Sequence, residues 1–126
     1  MAISLNTKVD LTMQGTSYHG LSNYGKIMIG DKAFEFYNDR NVEDYIQIPW
    51  EEVDYIAASV LFNKYINRFA IFTKENGHYS FSAKNNKALL KAVNKYIESD
   101  RLLRSLSFFQ VIKRGIIAIF KKKKSN

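Results

Sequence analysis

Val9, Leu11 and Met13 alternate with polar neighbours, the period of two that a half-buried strand requires. Residues 15–25 are rich in Gly, Ser, Asn and Tyr and predict a strand flanked by turns. Lys26-Ile27-Met28-Ile29 and Ala33-Phe34-Glu35-Phe36-Tyr37 are two β-type runs around Gly30-Asp31, which predicts a hairpin. Tyr45-Ile46-Gln47-Ile48 stops at Pro49, the only proline, as a strand end or edge does. Further strands are predicted over residues 53–61 and 68–73. Glu75-Asn76-Gly77 then turns the chain into another at residues 78–82.

The period changes at Asn85. Either Asn85 or Asn86 is a suitable N-cap for a helix over residues 87–98. Leu89, Val93 and Ile97 recur at i, i+4 and i+8 and form one apolar face, with Lys87, Lys91 and Lys95 on another. The expected class is mainly β with α (α+β). About seven strands make a small barrel or sandwich capped by the last helix, the element order of the pleckstrin-homology-like (PH-like) superfold. Residues 1–100 form this domain. Residues 101–126 are expected to be a separate, helical, basic and apolar tail. On a helical wheel Leu102, Leu106, Phe109, Ile112, Ile116 and Phe120 share a broad face, while Leu103 and Val111 lie off it. Gly115 interrupts this pattern, and residues 116–120 are apolar all round before four lysines.

Charge separates the two parts more sharply than hydropathy does. The formal net charge is +7, yet all twelve acidic residues lie at or before Asp100. Residues 1–100 carry eleven Lys/Arg against those twelve acids, close to neutral, whereas residues 101–126 carry eight basic residues and no acid. The basicity therefore belongs to the tail and not to the body. Cysteine is absent, which removes disulfides, thiolate metal sites and a cysteine nucleophile together. The N-terminus lacks the apolar run of a secretion signal, and no stretch reaches the ~18 apolar residues of a spanning helix. These features predict a cytoplasmic protein peripheral to the inner face of the cell membrane.

An apolar run beside a lysine cluster can insert side chains at the headgroup boundary while its lysines face anionic lipid, each contributing about 1 kcal/mol. The docking candidates are Phe108, Phe109, Ile112, Lys113, Arg114, Ile116, Phe120, Lys121, Lys122, Lys123 and Lys124. The competing reading packs residues 102–112 on the body as core and leaves the lysines solvated. Nucleic acid is a weaker partner for this tail, because aliphatic residues stand where stacking platforms would be expected. A second, polar surface is predicted at Arg40, Asn41, Glu43, Asp44 and Tyr45, with Trp50 as an anchor or as part of the core edge.

Catalytic readings are poor. The carboxylates around residues 39–54 have no histidine nearby and no calcium-loop spacing. Ser17 and His19 lie between Gly15 and Gly20, but the spacing is not that of a nucleophile elbow. Two histidines without cysteine are too few for zinc. No phosphate-binding glycine motif is present around Gly25 and Gly30. No enzyme activity, cofactor or metal is expected.

Long blocks of the chain resemble the ManO-type proteins. They are residues 4–10, residues 24–38, residues 39–54, Arg68-Phe69-Ala70-Ile71 and residues 104–115. Those proteins are small and of poorly defined function, and their genes accompany mannose-type phosphotransferase operons of Gram-positive bacteria. The resemblance implies a regulatory or accessory role in mannose-type sugar uptake, with the membrane permease as partner. It implies no catalytic residue. A transcriptional regulator of the same operon is the alternative.

Overall fold

The computed structural model describes residues 3–20, 22–61 and 65–106. Eight strands among them form one mixed sheet in the order β4-β3-β2-β1-β7-β6-β5-β8. The first four, β1 (Val9–Ser17), β2 (Asn23–Gly30), β3 (Ala33–Asn38) and β4 (Tyr45–Pro49), make an antiparallel meander. A 3-10 turn, Trp50–Glu52, leads to a second meander of β5 (Val53–Leu61), β6 (Tyr65–Thr73) and β7 (His78–Ala83). The two meanders join through a short ladder, with Gly15 opposite Ala83 and Ser17 opposite Phe81. The helix α1 (Asn86–Val93) follows, then a 3-10 turn at Ser99–Arg101 and β8 (Leu102–Leu106).

Two expectations are corrected here. The sheet has eight strands, not about seven, and it is not closed into a barrel: β4 and β8 are its edges. The extra strand comes from residues expected to open a helical tail. Leu102–Leu106 instead pairs in parallel with β5, Leu102 beside Ile56 and Leu106 beside Val60. A short apolar run fits either period, and the free backbone edge of β5 supplies the hydrogen bonds that decide it. Residues 107–126 lie outside the described residues.

Other expectations needed adjustment. Residues 15–25 are no separate strand; they supply the end of β1, a loop and the start of β2. The hairpin at Gly30-Asp31, the strand ending at Pro49 and the strand over residues 53–61 stand as predicted. The helix starts where expected, with the Asn85 side chain accepting the Ala88 N–H at 3.0 Å. It stops at Val93, and Ile97 reaches the core from the turns beyond it. Asn86 is not the cap. It is buried, accepts the Ala83 N–H at 2.6 Å and donates to the Ile66 carbonyl at 2.7 Å, fastening helix to sheet.

Strand alternation sends Ile27, Ile29, Phe34, Phe36, Ile56, Phe69, Ile71 and Phe81 to one face, where Leu89, Val93 and Ile97 close over them. The Phe34 ring lies 4.7 Å from Phe81 and 6.0 Å from Phe69, so aromatic contacts tie the two meanders together. Gly25 is needed for close approach: a Cβ there would meet the Tyr37 carbonyl oxygen at 2.1 Å.

Candidate functional site

The predicted polar surface is an ordered loop. The buried Asn38 organises it, its Oδ1 accepting the Arg40 N–H at 2.8 Å and its Nδ2 donating to Asp44 at 3.1 Å. Asn41 Oδ1 accepts the Glu43 N–H at 3.1 Å, and the Asp44 N–H returns to the Asn41 carbonyl at 2.9 Å. These side-chain-to-backbone bonds are the usual chemistry of Asn and Asp in turns. Arg40, Asn41, Glu43, Asp44 and Tyr45 are all exposed, as expected. Trp50 is not part of this surface. It is 8 % exposed, stacks on Tyr96 at 5.4 Å and donates its indole N–H to the Gly30 carbonyl at 2.9 Å. A buried tryptophan with its N–H satisfied is a core residue.

The loop borders an open polar cleft of about 320 Å³. It lies where β1 ends and where β2, β4 and β7 begin, and Ser17, His19, Asn23, Asp44, Tyr45 and Tyr79 line it. The helix end of the molecule is at the opposite ends of β1 and β4, where Tyr96 bonds Asp10 and stacks on Trp50. Folding therefore brings Ser17 and His19 beside Asp44 and Tyr45, which are far apart in sequence. It does not make a nucleophile with its base. Ser17 is 2 % exposed and its Oγ accepts the backbone N–H of His19 at 3.3 Å, while the imidazole packs on Tyr79 at 4.9 Å. Catalysis by such a pair needs the base nitrogen at the hydroxyl.

The sequence reading missed the most heavily bonded group in the described structure. Glu35 is 0 % exposed and points to the outer face of the first meander. Its Oε1 accepts from the Ser4 hydroxyl at 2.5 Å and the Asn6 amide at 2.9 Å. Its Oε2 accepts from the Leu5 N–H at 2.7 Å, the Tyr37 hydroxyl at 2.9 Å and Gln47 at 3.2 Å. Three of these five donors belong to residues 4–6, so the carboxylate straps the N-terminal segment over β3. Asp31 extends the strap by accepting the Thr7 hydroxyl, the Lys8 N–H at 3.0 Å and the Thr7 N–H at 2.9 Å. These bonds, the Thr7 hydroxyl first, lower the Asp31 carboxyl to about 2. The only signal in the sequence was a glutamate between two phenylalanines in a β-type run. At the other end of the molecule the bond with Asp10 raises the Tyr96 hydroxyl to about 12. The same bond is the main cause lowering the Asp10 carboxyl.

Among the described residues no three His, Cys, Asp or Glu side chains are grouped to hold a metal ion, and no helix is long and apolar enough to cross a membrane. The tail candidates from Phe108 to Lys124 lie outside the described residues.

The fold has a structural likeness in the crystal structure of the C-terminal domain of an unknown protein from Leishmania infantum. The match has 13 % identity and a TM-score of 0.62, covering 71 % of this chain and 83 % of that one. At that identity the likeness speaks to the fold alone. No curated protein matches the chain. A family model described as "Domain of unknown function (DUF956)" matches residues 1–116, from the N-terminal strap through β8 and on into the apolar segment, stopping short of the four lysines. The chain belongs to that DUF956 family.

Proposed function

We propose that this chain is a non-enzymatic, cytoplasmic accessory or regulatory protein of a mannose-type phosphotransferase sugar-uptake system. It docks on the membrane permease, or on the anionic lipid around it, through residues 107–126. The observation that carries this reading is the segregation of charge: a nearly neutral folded body followed by a segment with every remaining basic residue, no acid and many large apolar side chains. The resemblance of long blocks to ManO-type proteins supplies the sugar-uptake system. The body is read as PH-like, since β1 to β7 followed by α1 repeat that element order and β8 is an addition to it. The loop at residues 40–45 and the cleft beside it form a second contact surface, with Trp50 excluded.

The test is co-purification from solubilised native membranes with the tagged full chain. The comparison is a full-length variant carrying Ile116→Ser, Phe120→Ser and glutamate at Lys121, Lys122, Lys123 and Lys124. Substitution is preferable to truncation at residue 100, because that cut would remove β8 from the sheet. Permease subunits recovered with the parent and lost with the variant support tail docking. Recovery with both moves docking to the body, and recovery with neither rejects the permease as partner. The four lysines and the basic excess also suit phosphate contacts, so a regulator of the operon is the second reading. Sequence-specific DNA binding by the full chain at physiological salt would favour it.

A further inference from the structure

The polar loop divides its charges between two sides. Arg40 lines a shallow depression with Tyr24 and Asp39, whereas Asp44 lines the cleft beside the ends of β1 and β7 residues. No lysine or arginine lines that cleft, and Asp44 is its only carboxylate. The rest of the wall is aromatic and hydroxylic, with Tyr45, Tyr79, His19 and Ser17, and it meets the core at Phe36 and Ile46. Gln47 also borders the cleft but spends its side-chain amide on the outer face, donating to the Ile3 carbonyl at 2.7 Å and the Tyr37 hydroxyl at 3.0 Å.

Asp44 is fixed without being neutralised. Its backbone N–H donates to the Asn41 carbonyl at 2.9 Å, and its carbonyl accepts the Asn38 N–H at 3.2 Å. Its Oδ2 accepts the Asn38 side-chain amide at 3.1 Å, and Asn38 is only 5 % exposed. All of these partners are uncharged amide groups, so they orient the carboxylate and leave its charge in place. Oδ1 takes part in none of these bonds, and among the described residues Asp44 has no ion-pair partner.

This arrangement discriminates by charge. A phosphate or carboxylate would face Asp44 with no lysine or arginine in the lining to offset the repulsion. A neutral polyol would find hydrogen bonds there but gain nothing from the one fixed charge. A guanidinium carries five N–H donors in a planar fork, which match a carboxylate and phenol oxygens, and its flat face stacks on tyrosine rings. Size agrees: at about 320 Å³ the cleft stands at the small end of ligand sites, which run from ~300 to 1,000 Å³. That is room for one side chain and not for an extended ligand. Free arginine fits less well than an arginine residue, because its α-carboxylate would meet no cation in the lining.

We propose that this cleft receives an arginine side chain presented by a partner polypeptide, with Asp44 as the counter-ion and Tyr45 and Tyr79 as aromatic walls. The proposal deepens the reading of the cleft as a second contact surface and rests on it, but not on docking through the tail.

The test is titration of the 15N-labelled full chain, at neutral pH and low salt, with the peptide Gly-Gly-Arg-Gly-Gly. Its ends are acetylated and amidated, so the guanidinium is its only charge. The amide signals of His19, Asn23, Asp44, Tyr45 and Tyr79 are expected to shift along one saturable curve in the millimolar range. The same peptide with citrulline keeps the shape, loses the charge and should bind about fivefold more weakly. Asp44→Asn should cause a similar loss and Tyr45→Leu a loss of about threefold. Asp54→Asn, which removes an exposed acid elsewhere, should leave binding unchanged. The citrulline comparison uses the unaltered protein, so it decides the matter even where a substitution disturbs the loop. A parent without saturable shifts overturns the proposal, as does a citrulline peptide that binds equally well. Free L-arginine should bind more weakly than the peptide, and tighter binding overturns the assignment to a polypeptide. Because the purified chain is used without membrane, a negative result here leaves tail docking standing.

Discussion

The outer faces of the two meanders belong to one sheet and are finished differently. Over β3, residues 4–6 cross the face and place three donors on Glu35, while Asn6 also receives the Lys32 and Ala33 N–H groups at 2.8 and 2.7 Å. Over β5 and β6 the described chain lays nothing comparable; the face has alanines, stacked aromatics and an exposed leucine edge. Both halves share the same core and the same strand alternation. The difference teaches that a cover specified by directional hydrogen bonds is tied to one segment, whereas a face of alanines and stacked aromatics names no particular partner.

The comparison breaks most completely if the junction between the halves is lost. Trp50 sits just after β4, bonded to Gly30 and stacked on Tyr96. Trp50→Ala is expected to cost about 3–4 kcal/mol, read as a lower urea midpoint by far-UV circular dichroism. Both halves should melt in a single transition. Separate transitions would show that the meanders are independent and that the core contacts between Phe34 and Phe81 do not couple them.

Removing the strap's anchor should discriminate between the halves. Glu35→Ala leaves five donors without their acceptor and is expected to cost about 2–3 kcal/mol. Hydrogen exchange should accelerate at Leu5, Asn6 and Thr7 well before it does at Ile56 or Phe69. Equal acceleration everywhere would mean that Glu35 supports the whole sheet and not one cover.

A smaller effect is expected from Gly30→Ala. A Cβ at Gly30 would meet Asn6 Cγ at 2.3 Å and the Lys8 carbonyl oxygen at 2.6 Å. The strap must shift, at about 1–2 kcal/mol, and amide shifts should be confined to residues 4–8 and the Gly30 turn. Shifts spreading into β5 and β6 would contradict the separation of the two faces.

The mildest perturbation is acid. Asp31 is lowered from 3.8 to about 2 by its bonds to Thr7 and Lys8. A carboxyl lowered on folding contributes stability that is complete above the unfolded value and is lost as pH falls through the folded one. Asp31's contribution should therefore be intact above pH 3.8 and disappear on approaching pH 2. Asp31→Asn should flatten that part of the pH–stability curve; an unchanged acid limb would show that Asp31 has little part in holding the strap.

Much of the local structure was legible. Alternation marked the strands from Val9 to Phe81, Gly30-Asp31 marked a hairpin, and Asn85 was one of two caps considered. Each rests on a few consecutive residues whose periodicity or turn chemistry carries its own energy. The polar loop was legible as a surface for the same reason, since its Asn and Asp side chains bond their own backbone. Trp50 was left between an anchor and the core edge, and the structure settles it for the core, because burial depends on Tyr96 and Gly30, distant positions that no local pattern names. The cleft was invisible because Ser17, His19, Asp44 and Tyr45 meet only when β1 and β4 end at the same side of the sheet.

By itself the sequence determined the α+β class, most strand positions, the start of the helix and the split between a neutral body and a basic, apolar end. Those properties are sums over neighbouring residues. Only the tertiary structure decided that Leu102–Leu106 is a parallel strand on β5 and that Glu35 anchors the N-terminal segment. Each of those needs a partner tens of residues away, and the choice among possible partners is made by closure of the whole sheet around its core.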